Sequence, residues 1–219
     1  MVNLVKKDLR LSFKVNIFAV LYALFISAGG LVRDDVVLAN LLYTLGILIL
    51  TFITVIYTNG YDDKYKSEIV LNSFPIDRRD IVRAKYLTLM IFILLFSGTI
   101  LVFTNVLPVI IFIEGAVGAS IHTAILAINI LLIFYSLYYP VYFKVGEGLR
   151  SFNTILWLLL LIAPAIMKRG VEFLAKRGLL EKLAQVDLSR INLYLLGISL
   201  IIYYISLQIS KKIYMGREF

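Results

Sequence analysis

A chain of 219 residues that is 61% hydrophobic, with a mean hydropathy of +0.91, is too apolar for a water-soluble domain, in which about half the residues are apolar. Twenty-two Lys and Arg against 14 Asp and Glu give a formal net charge of +8, which basic residues at membrane boundaries account for without invoking nucleic acid. With no cysteine, disulfides and thiolate metal sites are excluded.

Residues 1–14 are the first predicted element. At helical spacing Val2, Val5, Leu9 and Phe13 fall on one stripe and Lys6, Lys7, Arg10 and Lys14 on another. This is the pattern of an amphipathic helix lying in the membrane interface, as an elbow beside transport machinery or as a plain anchor. The uncharged run 15–32 follows. A basic start before an apolar run also resembles a signal peptide. The run is 18 residues long with no clear small-x-small cleavage site, so it reads as an uncleaved first span.

Five more runs lack any Asp, Glu, Lys or Arg: 36–61, 86–113, 115–143, 151–167 and 191–210. A spanning helix needs about 20 mostly apolar residues. In hydrocarbon every backbone polar group must be satisfied within the segment, so these runs are helices, and the alternation of a membrane barrel is absent. The fold class is an all-α membrane protein with six transmembrane helices, at about 15–32, 36–58, 86–106, 121–142, 151–167 and 191–210. The fifth is the shortest and contains Pro164. The chain reads as one domain with no internal repeat. If both termini are cytoplasmic, fifteen of the 22 basic residues lie inside and seven outside, which favours that orientation despite the basic outer segment 168–190.

Between spans two and three lies YDDKYKSEIVLNSFPIDRRDIVRAK, residues 61–85. Placing the six charges of residues 71–87 at the bilayer midplane would cost about 18 kcal/mol, so the block sits in water or against protein. Asp62 to Leu71 can form a short helix, with Asp62 and Asp63 in its first turn and Lys64 and Lys66 after them. Lys64 and Glu68, four apart, would share a face of that helix. Pro75 forces a turn at Phe74, and Asp77 is an N-cap for a second helix that carries Asp80, Arg78, Arg79, Arg83 and Lys85 into span three. A coupling element must protrude, be stiff and be tied to a span, and this block meets all three conditions. The alternative is a well-capped hairpin with no partner.

Other residues carry less. Glu114 is the one acid in a long apolar region, between Pro108 and Gly115/Gly118, and is expected at the external surface. Lys176, Arg177 and Lys182 lie in the outer segment, where they could gather anionic lipid or acidic cargo, or form a solvated face. His122 reads as a packing residue. Tyr135, Tyr138, Tyr139 and Tyr142 read as an aromatic belt at the inner interface, with an aromatic wall for cargo as the alternative. There is no G-x-x-x-x-G-K-[ST] loop, no H-E-x-x-H and no G-x-S-x-G, so no catalytic, cofactor-binding or metal-ligating residue is assigned.

The run from Leu71 to Tyr86 fits L-x-S-[FL]-P-[IV]-x-R-x-x-[IV]-V-x-x-K-Y. With the basic amphipathic N-terminus, six spans and the short charged tail KKIYMGREF, it resembles the ABC-2 type permeases. It is most similar to the six-span bacterial group that includes lantibiotic and phenol-soluble-modulin exporters. The resemblance implies a permease without its own ATPase, which exports an amphipathic peptide. Two copies of an ABC-type ATPase bind the ATP and Mg, and a second permease copy or a related permease completes the assembly. It also implies that the segment after span two docks on the ATPase, a role falling on Asp62, Asp63, Lys64, Lys66, Glu68, Leu71, Phe74 and Pro75. Asp77, Arg78, Arg79, Arg83 and Lys85 would link that segment to span three. The long, basic segment between spans five and six departs from the simplest family pattern. A lipid-like or hydrophobic drug molecule is the alternative cargo. A membrane-embedded enzyme would need polar residues clustered at one depth, and an ion-coupled secondary transporter would need inverted repeats and acids in the spans. Neither pattern is evident.

Overall fold

The structure, a computed structural model, describes residues 1–33, 35–112, 116–146 and 188–217, with Ile162 and Arg169 between them. The predicted fifth span at 151–167, the outer segment with Lys176, Arg177 and Lys182, and Glu114 lie outside the described residues.

Seven helices are delimited among the described residues: α1 (Val2–Leu11), α2 (Phe13–Leu31), α3 (Val36–Lys64), α4 (Ser67–Ser73), α5 (Arg78–Ile111), α6 (Ile121–Val145) and α7 (Leu188–Met215). Five of these, α2, α3, α5, α6 and α7, are long and apolar enough to cross a membrane. Local chemistry sets several starts. The Asp35 carboxylate accepts the Val37 N–H at 2.8 Å to open α3, the Asp77 carboxylate accepts the Arg79 N–H at 2.8 Å to open α5, and the Ser120 hydroxyl accepts the Thr123 N–H at 3.1 Å to open α6. The junction between α1 and α2 is Ser12, whose hydroxyl turns back to the Asp8 and Leu9 carbonyls.

Residue pairs fix the directions of the helices. Asn129 meets Asn192, the Ser206 hydroxyl donates to the Ser136 carbonyl, and Phe143 stacks edge-on with Tyr214. The partners advance together, so α6 and α7 run parallel. α2 and α3 are antiparallel, with Gly30 against the Tyr43 ring and Gly46 against Ile26. α3 and α6 are parallel, linked by Asn40 with Thr123 and by Phe52 with Phe134. One end of the bundle therefore gathers α1, α4, the start of α5 and the ends of α3, α6 and α7. Met1 and Arg217 lie there: the Met1 amino group is 3.6 Å from Asp80, and Arg78 donates to the Arg217 carbonyl at 2.9 Å.

The core is rich in rings. Tyr135, Tyr138, Tyr139 and Tyr142 are all buried, packed on Phe52, Phe134, Tyr86 and Phe143. This corrects their reading as an aromatic belt at the inner interface, since all four are buried among helices. They point between helices, because that stretch of α6 packs against both α3 and α7. Several core hydroxyls are satisfied locally: Thr51, Thr58, Thr104 and Ser136 each bond a carbonyl one turn back. The Tyr86 hydroxyl, at 2.7 and 2.8 Å from those of Ser206 and Ser210, joins α5 to α7. Outside, α2 presents Phe18, Tyr22 and Phe25 and α7 presents Tyr194, Ile201 and Tyr204, an apolar girdle suited to lipid.

Candidate functional site

The charged block between α3 and α5 folds as two short pieces on a buried ionic base. α3 does not stop at Tyr61; it runs on to Lys64. Nothing before Tyr65 breaks a helix, and the charge at Asp62 is neutralised. Asp62 and Asp63 thus sit in the last turn of α3, which corrects their placement in the first turn of a docking helix. Asp62 is 4% exposed, so its side chain cannot be the surface that a partner meets.

Its partners come from both directions along the chain. Lys85 Nζ on α5 is 2.5 Å from Asp62 Oδ2 and 3.2 Å from Asp8 Oδ2 on α1. Lys7 Nζ is 2.8 Å from Asp62 Oδ1 and 3.3 Å from Asp8 Oδ1. Each lysine bridges both carboxylates, so the four charges close a neutral ring. Asp8 and Lys85 are buried, and such charges are tolerated only when paired. α1 lies alongside the first turns of α5, with Met1 near Asp80 and Asp8 near Lys85.

Beyond this base the chain turns. Tyr65 caps α3, and Lys66 takes the left-handed conformation at φ 48°. This is strained for a side chain other than Gly or Asn, and it redirects the backbone into α4. The turn removes the shared helical face expected of Lys64 and Glu68, since the first ends α3 and the second lies in α4. Lys64 instead sits over the Tyr65 ring at 5.4 Å. Phe74 is extended, with ψ 155°, as the following Pro75 requires. Asp77 then caps α5 as the sequence predicts.

α4 has an inner and an outer face. Leu71 packs against the core, and the Asn72 amide donates to the Tyr214 hydroxyl at 3.0 Å. Ile69, Val70 and Phe74 are 56, 51 and 56% exposed, and Lys66 and Pro75 are exposed beside them. The outer face is apolar at a place where the neighbouring sequence is strongly charged. The linkage residues hold the other side. Arg78 donates to the Met215 and Arg217 carbonyls, capping the C-terminus of α7. The Arg79 Nε–H points at the Met215 sulfur at 3.1 Å, and Arg83 pairs with Asp80 at 3.1 Å.

Two parts of this arrangement escape the sequence reading. Asp8 is the only acid in residues 1–14, and that isolation among cations is the available signal that it needs an inward partner. The exposed pair Ile69 and Val70 is signalled by three consecutive apolar residues, 69–71, in a helix of seven, of which a single narrow face can point inward.

Five membrane-length helices, with structured charged segments gathered at one end, define a multi-pass membrane protein. The family model for ABC-2 family transporter proteins matches residues 3–215, and the chain belongs to that family. It is the membrane subunit of an ABC exporter, a transport component that works with an ABC-type ATPase subunit. No curated protein and no solved structure matches it significantly.

Proposed function

We propose that this permease exports an amphipathic peptide from the cytoplasm, with α4 as the coupling helix that receives motion from the ATPase. The observation that supports coupling is the exposed apolar face of Ile69, Val70 and Phe74 on a short helix that is clamped from behind. Apolar surface beside a charged block marks a protein contact. The clamp makes a push on α4 travel two ways: through Pro75 and the Asp77 cap into α5, and through the Asp62–Lys85 base into α3. Lys64 and Lys66 are exposed beside the docking face and set its charge complementarity to the ATPase, and Glu68 is proposed to share that role.

The bundle spans the membrane six times in this reading. The sixth crossing is the sequence-predicted span at 151–167, which lies outside the described residues. Both termini and α4 are cytoplasmic, as the basic excess at that end favours. α1 rests at the inner interface, tied down by Asp8 and Lys7. A second permease copy or a related permease packs against the apolar girdle, and cargo passes between the two. The peptide cargo rests on the resemblance to lantibiotic and phenol-soluble-modulin exporters.

The test of coupling replaces Ile69 or Phe74 by Asp in the complex with the cognate ATPase. Burying a residue of this size is worth roughly 1.5–3 kcal/mol, so either variant should reduce ATPase co-purification by about tenfold or more while insertion stays normal. Arg33→Glu, at the other end of the bundle, should leave association unchanged. Full association of both α4 variants would refute the coupling role. Cargo is tested in vesicles holding the complete complex: amphipathic peptide should stimulate hydrolysis, and stimulation by lipid analogues alone would overturn the peptide reading.

A further inference from the structure

A second feature of the α4 end lies on the opposite side of α5 from the ionic base. α5 and α7 are antiparallel and leave between them an open groove of about 510 Å³. Its upper wall is Arg83 and Lys211, and its lower wall is Leu87, Met90, Tyr204 and Leu207. From Arg83 to Met90, and from Lys211 to Tyr204, each helix descends seven residues into the bundle, about 10 Å at the helical rise. Charge at the top thus gives way to apolar surface within one short descent. Leu87 and Tyr204 are 41 and 62% exposed, so the lower groove opens outward to the lipid side.

Among the described residues, the upper end carries more positive charge than its neighbours neutralise. Lys211 is only 9% exposed, and its one hydrogen bond is to the neutral Gln208 side chain, at 3.3 Å. Arg79 and Arg83 face it as like charges. Asp80 is the nearby carboxylate, and it is already shared between Arg83 and the Met1 amino group. Among the described residues, Arg79, Arg83 and Lys211 gather around one acid, Asp80, that is already engaged, an arrangement that favours an anion, and the apolar descent below favours a hydrocarbon chain.

We propose that this groove binds an anionic phospholipid of the leaflet at the α4 end, with its phosphate at Arg83 and Lys211 and one acyl chain along Leu87, Met90 and Leu207. The lipid would fill the seam between α5 and α7 beside the Arg78 and Arg79 contacts to the tail. Its headgroup would neutralise the repulsion around Lys211. The site lies apart from α4's docking face, so it is independent of how the ATPase couples.

The test is native mass spectrometry on the full chain purified from detergent with equal phosphatidylglycerol and phosphatidylcholine. The wild-type chain should retain phosphatidylglycerol selectively. Lys211→Met, which keeps the apolar stem, and Arg83→Gln should each lower that retention about fivefold, the effect of one basic residue at a charged lipid surface. Leu207→Trp, which fills the lower groove and keeps both charges, should lower it as well. Lys144→Gln, exposed at the end of α6, should not. Helical circular dichroism and an unchanged elution volume confirm that each variant is folded; should Arg83→Gln fail to fold, Lys211→Met and Leu207→Trp decide the matter. Equal retention of the two lipids, or retention unchanged in Lys211→Met, overturns the proposal. So does complete displacement by millimolar inorganic phosphate, which would mark a bare anion site, or displacement by an acidic amphipathic peptide but not by phosphatidylglycerol, which would mark a cargo site.

Discussion

Lys85 on α5 and Asp62 at the end of α3 form a buried ion pair, 2.5 Å from Nζ to Oδ2, that closes the base under the chain between them. The 22 residues between them, 63–84, include α4 and the first turns of α5. The loop can therefore be short, structured and exposed while its two roots stay fixed.

Breaking the pair from one side should be costly. Lys85→Met strands Asp62 and Asp8 with Lys7 alone, and Asp62→Asn strands Lys85 against Asp8. Removing one partner of a buried pair costs about 3–5 kcal/mol. Each single variant should show a clearly lower melting temperature in detergent, measured by fluorescence-detected size exclusion. The double variant restores neutrality, so it should lose less than the sum of the two. Additive losses would mean that the charges do not act as a unit.

Gly30 on α2 packs directly against the Tyr43 ring on α3. A Cβ there would stand 2.7 Å from the Tyr43 hydroxyl, which donates to the Val117 carbonyl at 2.8 Å. Gly30→Ala should therefore cost about 1–3 kcal/mol through displacement of the ring. Its neighbour Gly29 has nothing within 4 Å of a Cβ. Gly29→Ala should be neutral or stabilising by up to about 1 kcal/mol, because alanine is the better helix former. Thermal melts of the two variants check the contrast.

Pro75 joins α4 to α5 without holding up the fold. It is exposed, and its effect is to hold Phe74 extended between α4 and α5. Pro75→Ala should insert normally, with stability changed by no more than about 1 kcal/mol. It should loosen the link between the two helices, so that ATPase hydrolysis in the complex no longer responds to cargo. A normal cargo response in this variant would show that the proline turn is not part of the transmission.

Met1 and Arg217 both lie at the α4 end, so reporters fused at either terminus should report the same side. A reporter inserted after Arg33 should report the other. Opposite readings at the two termini would contradict the pairing of Arg78 with the Arg217 carbonyl and of Met1 with Asp80.

The spans were legible because uncharged runs are a property of the local sequence. The Phe74–Pro75–Asp77 turn was legible for the same reason, since a proline restricts its neighbour and an aspartate caps the next helix. Asp62 was not legible. Its partners lie 55 residues before it and 23 after it, and only their convergence makes it a buried base instead of a surface acid. The tyrosines of α6 were misread because a helix that is apolar all round carries no signal of which side faces protein and which faces lipid. The exposed apolar face of α4 was hidden by its charged neighbours, and it becomes visible once Leu71 and Asn72 are seen to point inward.

The coupling role of α4 is tested most directly by site-directed cross-linking. The chain has no cysteine, so Val70→Cys introduces a single thiol on the outer face of α4. With a bifunctional thiol reagent and the cognate ATPase in membranes, Val70→Cys should cross-link to the ATPase, and the yield should change between nucleotide-free and ATP-bound states. Cross-linking from Phe18→Cys on the lipid-facing side of α2, with none from Val70→Cys in either state, would contradict the account.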